Sequence, residues 1–274
     1  MIKEELQRVV ESGYKLPDGL TEYEAVSKVV DILDSTDPEL RDQLGYTILY
    51  KWLIEQKFLT NKELREQLDV AVSDKMLFHK VGESETDSVF LRAFSSLLIA
   101  LLLHRDNQDP FLDKESFDQI LHRLVAYCEE ERDVRGYVEE KGWAHAAAHI
   151  ADALEECVQS EKVHRVECET LWIGICALIN HAHHVFDAEE DERMATVVVA
   201  MVALEKVSVK TICEWLQKVE VTKGQDITFR YRRVNWKHFV RSIYTRLQEK
   251  NLLGEADLAL QKEERRFNPY FSKL

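Results

Sequence analysis

The chain has 274 residues, 45% of them hydrophobic and 31% charged, enough to bury one large core or two closely packed halves. Only nine Gly and four Pro are present, which leaves few breakers for tight hairpins or long loops and favours helix throughout. The formal net charge of −14 and a pI of about 5.2 argue against a protein that coats nucleic acid, because such binding needs Lys and Arg to neutralise phosphates.

Taken in chain order, the first segment, MIKEELQRVVESGY, is an amphipathic helix with acidic residues and no apolar core of a secretory leader. Thr36 or Asp37 can cap the helix DPELRDQLGYTILYKWLIEQK, with Pro38 in its first turn. Thr60 or Asn61 can cap a helix running to about Val72. Asp87 can cap DSVFLRAFSSLLIALLLHR, whose apolar run from Phe94 to Leu103 is too short to span a bilayer and reads as a buried helix. Ser95 and Ser96 within it suit hydrogen bonds back to their own helix backbone. Asp113 opens DKESFDQILHRLVAYCEEE, and Gly142 is read as the start of the next helix. Glu167 to Asn180 forms another, Glu189 or Asp191 opens ERMATVVVAMVALEKV, and Ser208 caps VKTICEWLQKV. Trp236 to Leu247 and Gly254 to Arg266 close the chain, and no alternating strand pattern interrupts the series.

The densest apolar helices begin near Asp37, Asp87, Gly142 and Asp191, at intervals of roughly fifty residues, somewhat above the HEAT/armadillo period of about 40–47. Each precedes a more polar amphipathic helix. The expected fold is therefore all-α, a single domain over residues 1–274, built as an irregular α-solenoid or two-layer α–α superhelix of HEAT/armadillo-like hairpins. A compact bundle is the alternative. Gly82 to Thr86 and Thr222 to Asp226 are the hinge candidates.

One stretch concentrates costly residue types: RDVRGYVEEKGWAHAAAHIADAL, from Arg132 to Leu154. At ~100° per residue, a helix started by Gly142 gathers Trp143, Ala147, Ile150 and Leu154 on one side. His145, His149 and Asp152 line up on the opposite side. Alanines at 144, 146, 148, 151 and 153 leave the flanks small enough for close helix packing. Gly136 and Gly142 allow sharp turns on either side of Tyr137 to Lys141. Buried polar groups need partners, and Arg132, Asp133 and Arg135 are the neighbouring candidates.

Three readings fit this stripe. It is a hydrogen-bonded structural layer. It is a ligand or phosphate pocket with Arg132 or Arg135 as the anion fork. Or His145 and His149, at i and i+4 with Asp152 as a third ligand, hold a metal. The sequence HAAAH places Ala146 where a zinc protease carries its general base, which argues against a metalloprotease. No metal and no cofactor is assigned. The expected ligand-binding residues are Arg132, Arg135, Trp143, His145, His149 and Asp152.

Two further clusters have simpler explanations. In HAHHVFDAEEDER, His181, His183 and His184 near one helix C-terminus and Asp187, Glu189, Glu190, Asp191 and Glu192 at the next N-terminus each suit the helix dipole they face. In FRYRRVNWKHFVRSIYTRLQEKN, an apolar stripe of Trp236, Phe239, Val240, Ile243 and Leu247 suits a closing helix with a basic outer face. Arg230, Arg232, Arg233, Lys237 and Arg241 there offer only a weak case for nucleic acid. Five scattered cysteines without a CxxC pair suit free thiols in a reducing compartment, so the expected location is the cytoplasm. No GxSxG, P-loop or GxGxxG is present.

The residues RDVRGYVEEKGWAHAAAHIADAL, with DPELRDQLGYTILYKWL, FLRAFSSLLIALLL and NWKHFVRSIYTRL, resemble the DUF2785 family of bacterial proteins. The resemblance implies a small cytosolic bacterial protein and brings no activity with it. Arg132, Arg135, Gly142, Trp143, His145 and His149 match the family's characteristic stretch. The sequence is thus read as a binding or interaction protein with a polar groove, whose partner is a protein, a peptide or a small anionic ligand. The alternative is an enzyme using His145 or His149 as general acid/base with an arginine anion clamp, with or without a metal.

Overall fold

A computed structural model describes residues 2–220 and 226–271. Among them are twelve α-helices and one two-stranded hairpin. Helices α1 (Lys3–Glu11) and α2 (Glu22–Val30) lead into α3 (Thr47–Tyr50), which is flanked by π-helical turns at Glu39–Tyr46 and Lys51–Glu55. Then come α4 (Asn61–Ala71), α5 (Ser88–Gln108) and α6 (Lys114–Glu130). The hairpin β1 (Tyr137–Val138) and β2 (Gly142–Trp143) precedes α7 (Ala146–Gln159), α8 (Arg165–His181), α9 (Glu190–Ala203) and α10 (Val209–Lys218). Helices α11 (Ile227–Glu249) and α12 (Asp257–Phe267) complete the order, a 3-10 turn at Gly254–Ala256 opening the last. The hinge expected at Thr222 to Asp226 falls, apart from Asp226, outside the described residues.

Helix starts follow local chemistry. Thr60, Asp113 and Ser208 each accept a hydrogen bond from the backbone N–H three residues on, as cap residues do. Asp37 takes the N–H groups of Glu39 and Leu40. Asp87 stands at the N-cap of α5 without capping it, its carboxylate instead holding Lys141 Nζ at 2.7 and 2.8 Å.

Helix α5 is apolar on every side, and a helix of that kind belongs in a core. It is long and apolar enough to cross a membrane by length and composition, and 83% of that stretch is buried inside the protein. Ser95 and Ser96 bond back to the carbonyls of Leu91 and Arg92, as the sequence suggests. Helix α5 packs on α7, α7 on α9 and α9 on α11, while α6 packs on α8. The alanines of α7 are buried, Ala146, Ala147, Ala148 and Ala153 completely, and let α5 and α9 approach it closely. One continuous hydrophobic cluster runs from Leu6 to Phe267.

Two residues of the basic stripe near the C-terminus, Arg233 and Arg241, are engaged by α12. Arg241 Nε donates to Glu264 at 2.7 Å, and Arg233 donates to the Phe267 carbonyl at 2.9 Å. A closing helix explains the pattern, and α11 starts nine residues before the apolar stripe because Asp226 caps it.

Candidate ligand-binding site

Sequence phase places Trp143 on a helix, opposite the histidines; the structure does not. Gly142 sits at φ +77° and Glu140 at φ +63°, which turns the chain back on itself. Tyr137 pairs with Trp143 and Val138 with Gly142, so the segment is an antiparallel hairpin and α7 starts only at Ala146. Aromatic and β-branched side chains at Tyr137, Val138 and Trp143 suit a strand. The cross-strand Tyr137–Trp143 pair, with ring centroids 5.1 Å apart, adds to it. Backbone bonds from Ala144 to Gly136 and from His145 to Arg135 extend the zip to the helix start.

The turn changes what faces what. His145 becomes the N-cap of α7, left-handed at φ +54°, and lies flat on the Trp143 indole at 4.5 Å. His149 meets His145 edge-on at 5.6 Å and Phe94 at 5.2 Å. Tyr137, Trp143, His145, His149 and Phe94 thus form one ladder of rings from the surface to the core. Trp143 is 40% exposed and Tyr137 62%, whereas His149 is 6% exposed.

Of the two arginines expected in the pocket, neither reaches the imidazoles. Arg132 donates to the carbonyls of Glu129 and Glu131 and contacts His181 Nδ1 at 2.8 Å, on the side of α8. Arg135 grips both oxygens of the buried Asp133 at 2.8 and 2.7 Å and donates to the Thr86 carbonyl. Both are taken by partners within or beside their own segment. That segment is itself anchored from below. Glu131, fully buried, accepts two bonds from Arg92, one from the Tyr127 hydroxyl and the N–H groups of Arg132 and Asp133.

Two other arginines take the expected places. Arg41, fully buried, donates to the carbonyls of Ser35, Lys141 and Trp143, and its guanidinium lies over the rings of Phe90 and Phe94 at 4.2 and 4.8 Å. It pins the hairpin to the start of the π turn. Gly142 has no room for a side chain there, since a Cβ would stand 2.7 Å from that of Pro38. Arg193, on α9, pairs with Asp152 at 3.1 Å.

A sequence profile described as "Protein of unknown function (DUF2785)" matches residues 77–245, more than half of the chain and including the whole hairpin, α7 and α9. The chain belongs to the DUF2785 family. No curated protein and no solved structure matches it. Arg41 and Tyr46, which reach the site from the π turn, lie before the matched region.

Electrostatics of this DUF2785 site follow from burial. Desolvation holds the His145 imidazole below its ordinary range, against the pull of the Ala188 carbonyl that it meets at 2.8 Å. Desolvation, then His145 and Arg193, hold His149 far lower. Both rings are therefore neutral at pH 7, and Arg193 and Arg41 are the cations that act on His149. Burial pushes Asp152 up to about 6, opposed by Arg193, and pushes the Tyr46 hydroxyl to about 12, with the Asp152 charge helping. Glu190 is completely buried and its carboxyl is raised for the same reason. Its Oε2 accepts the Ala188 N–H, while Oε1 stands 3.5 Å from His145 Nε2 without a hydrogen bond. His149 Nδ1 is likewise buried and unpartnered.

The loop before α9 completes the outer rim. Asp187 and Glu189 are exposed and close enough to raise the pKa of His145. This acidic loop presses on the hairpin base so tightly that a Cβ on Gly136 would meet Ala188 Cβ at 2.7 Å. Among the described residues, no group of three or more His, Cys, Asp or Glu side chains is arranged to hold a metal ion. The HAHHVFDAEEDER segment instead joins two helix ends, with His181 in the last turn of α8 and Glu190, Asp191 and Glu192 in the first turn of α9.

Proposed function

We propose that this DUF2785 protein is a binding protein, and that its hairpin takes a cationic group, the lysine or arginine side chain of a peptide, on the Trp143 indole. One observation carries the reading: Trp143 is backed by a neutral imidazole on one face, edged by Tyr137 and still 40% exposed, and the exposed Asp187 and Glu189 carboxylates act on that same imidazole. An indole face attracts cations, and nearby acids add to that attraction. The small anionic ligand expected from sequence fits less well, because Arg132 and Arg135 are occupied and Arg193 is held by Asp152.

The same proposal includes the wider architecture. The row α5, α7, α9, α11, with α6 on α8, supports a two-layer superhelix of HEAT-like hairpins in one domain, and stacked helix pairs offer long binding faces. Five free cysteines support a reducing, cytoplasmic setting.

Isothermal titration with a heptapeptide of alternating Lys and Ala tests the binding. Trp143→Leu is expected to weaken it about 3- to 30-fold, the range of a cation–π contact. Asp187→Asn with Glu189→Gln is expected to flatten its salt dependence. Equal affinity for the parent and Trp143→Leu would sink the proposal.

An enzymatic reading has one observation of its own. His145 and Glu189 are both left-handed, and two unpartnered buried atoms, Glu190 Oε1 and His149 Nδ1, flank His145; strain and orphan groups recur at catalytic sites. His149 is closed off by His145, so His145 would be the acid or base. Such a group must be reachable, and diethylpyrocarbonate tests this: an unmodified His145 in the folded protein removes the reading.

A further inference from the structure

A second site lies apart from the hairpin, between α8, α10, α11 and α12. It is a cavity of about 530 Å³. Small-molecule sites fall at roughly 300–1,000 Å³. Three of the five tryptophans, Trp172, Trp215 and Trp236, line it together with Phe229 and Phe267. The rings brace one another: Trp236 stacks on Phe267 at 5.5 Å, and Trp172 lies 5.7 Å from Trp215 and 6.0 Å from Trp236. Ile173, 48% exposed, continues the apolar wall to the outside.

The polar part of the wall sets Lys218, Arg232 and Arg233 against Glu169 and Glu220. Lys218 is 3.9 Å from Glu169, and Arg233 is tied to the Phe267 carbonyl and lies over Tyr270. Arg232 differs. Among the described residues its Nε is shielded from solvent without a hydrogen-bond partner, and the side chain has no ion pair. A buried unpartnered donor on a cation is costly unless something fills it. The paired N–H groups of a guanidinium match the two oxygens of a carboxylate.

We propose that this cavity binds an amphipathic monocarboxylate, its headgroup on Arg232 and its hydrocarbon body among Trp172, Trp215 and Trp236. One unpartnered cation fits one negative charge. The aromatic walls select the apolar body, and the overall charge of −14 makes adventitious capture of anions unfavourable elsewhere on the surface.

The probes are decanoate, decan-1-ol and 8-anilinonaphthalene-1-sulfonate on the full chain. Decanoate is expected to raise the melting temperature with the logarithm of its concentration and to displace the fluorescent sulfonate at one molecule per chain. Arg232→Gln is expected to weaken decanoate at least tenfold while leaving decan-1-ol unchanged. Ile173→Glu, on an exposed wall that folding does not depend on, is expected to cause a similar loss and serves if Arg232→Gln does not fold. Decanoate that neither stabilises nor displaces the probe overturns the proposal. So does decanoate that binds the parent and both variants alike.

Discussion

Replacing Arg41 with methionine would remove the guanidinium and keep most of the side-chain volume. The structure sets the cost. Three carbonyls, of Ser35, Lys141 and Trp143, lose donors at 2.6, 2.7 and 3.2 Å, and the faces of Phe90 and Phe94 lose a cation. A buried acceptor left without its partner costs about 1–3 kcal/mol. Partial hydration of the hairpin puts each at the low end, about 3 kcal/mol in all. Methionine returns part of this by deleting an unpartnered Nε and a cation that burial holds down at about 10. A net loss of about 2–3 kcal/mol lowers the melting temperature by roughly 4–12 °C for a chain of this size. Circular dichroism at 222 nm would follow the melt, and acrylamide quenching would report Trp143 becoming more accessible as the hairpin lifts. A melting temperature within 1 °C of the parent, with quenching unchanged, would refute the claim that Arg41 holds the hairpin.

Four other outcomes rest on the same geometry. Gly136→Ala, whose new Cβ would meet Ala188 Cβ at 2.7 Å and Glu190 Oε1 at 2.8 Å, should lower the urea unfolding free energy by about 1–3 kcal/mol, the cost of overpacking. Asp152 is raised to about 6 in the folded protein, so its contribution to stability falls as pH rises from about 4 to about 6 and is level above that. The stability of the parent relative to Asp152→Asn should therefore fall across that window, by ~3 kcal/mol at most, in denaturant titrations at each pH. His149 is held neutral, so the parent loses stability as pH drops below the ordinary 6.5 of an unfolded histidine. His149→Phe should be near neutral at pH 8 and gain on the parent towards pH 5, and a constant difference would contradict this. Glu131→Gln breaks the buried pair with Arg92 and should cost about 3–5 kcal/mol in the same denaturation assay.

Much of the helical frame is legible from local chemistry. Thr60, Asp113 and Ser208 announce helix starts because each side chain satisfies a backbone donor close in sequence. The alanines of α7 announce close packing for an equally local reason. The hairpin escapes such reading because Trp143, Ala147, Ile150 and Leu154 happen to repeat at helical spacing. Gly142 at positive φ and the Tyr137–Trp143 pair decide otherwise, and their effect depends on the docking of the turn against Pro38 and Arg41.

The arginines teach the same lesson about charge. Arg132 and Arg135 adjoin the histidines in sequence, but the carbonyls of Glu129 and Glu131, His181, and the Asp133 carboxylate claim them first. Arg41 and Arg193 lie far from the histidines in sequence and reach the site only through tertiary packing. Glu190 reads as a surface acid at a helix start, and only the fold buries it beneath Gly136. His145, His149 and Trp143 stand out by their residue types, and the structure joins them in one stack.

The decisive observation concerns the Trp143 indole itself. Two peptides of the same sequence, one with free lysines and one with every lysine acetylated, would be titrated into nitrogen-15-labelled protein while the indole resonances are followed. The expected result is a saturable shift of the Trp143 signal with the charged peptide alone, absent in Trp143→Leu. Identical shifts with both peptides, or a Trp143 signal that stays put while the charged peptide binds, would contradict a cation site on the hairpin.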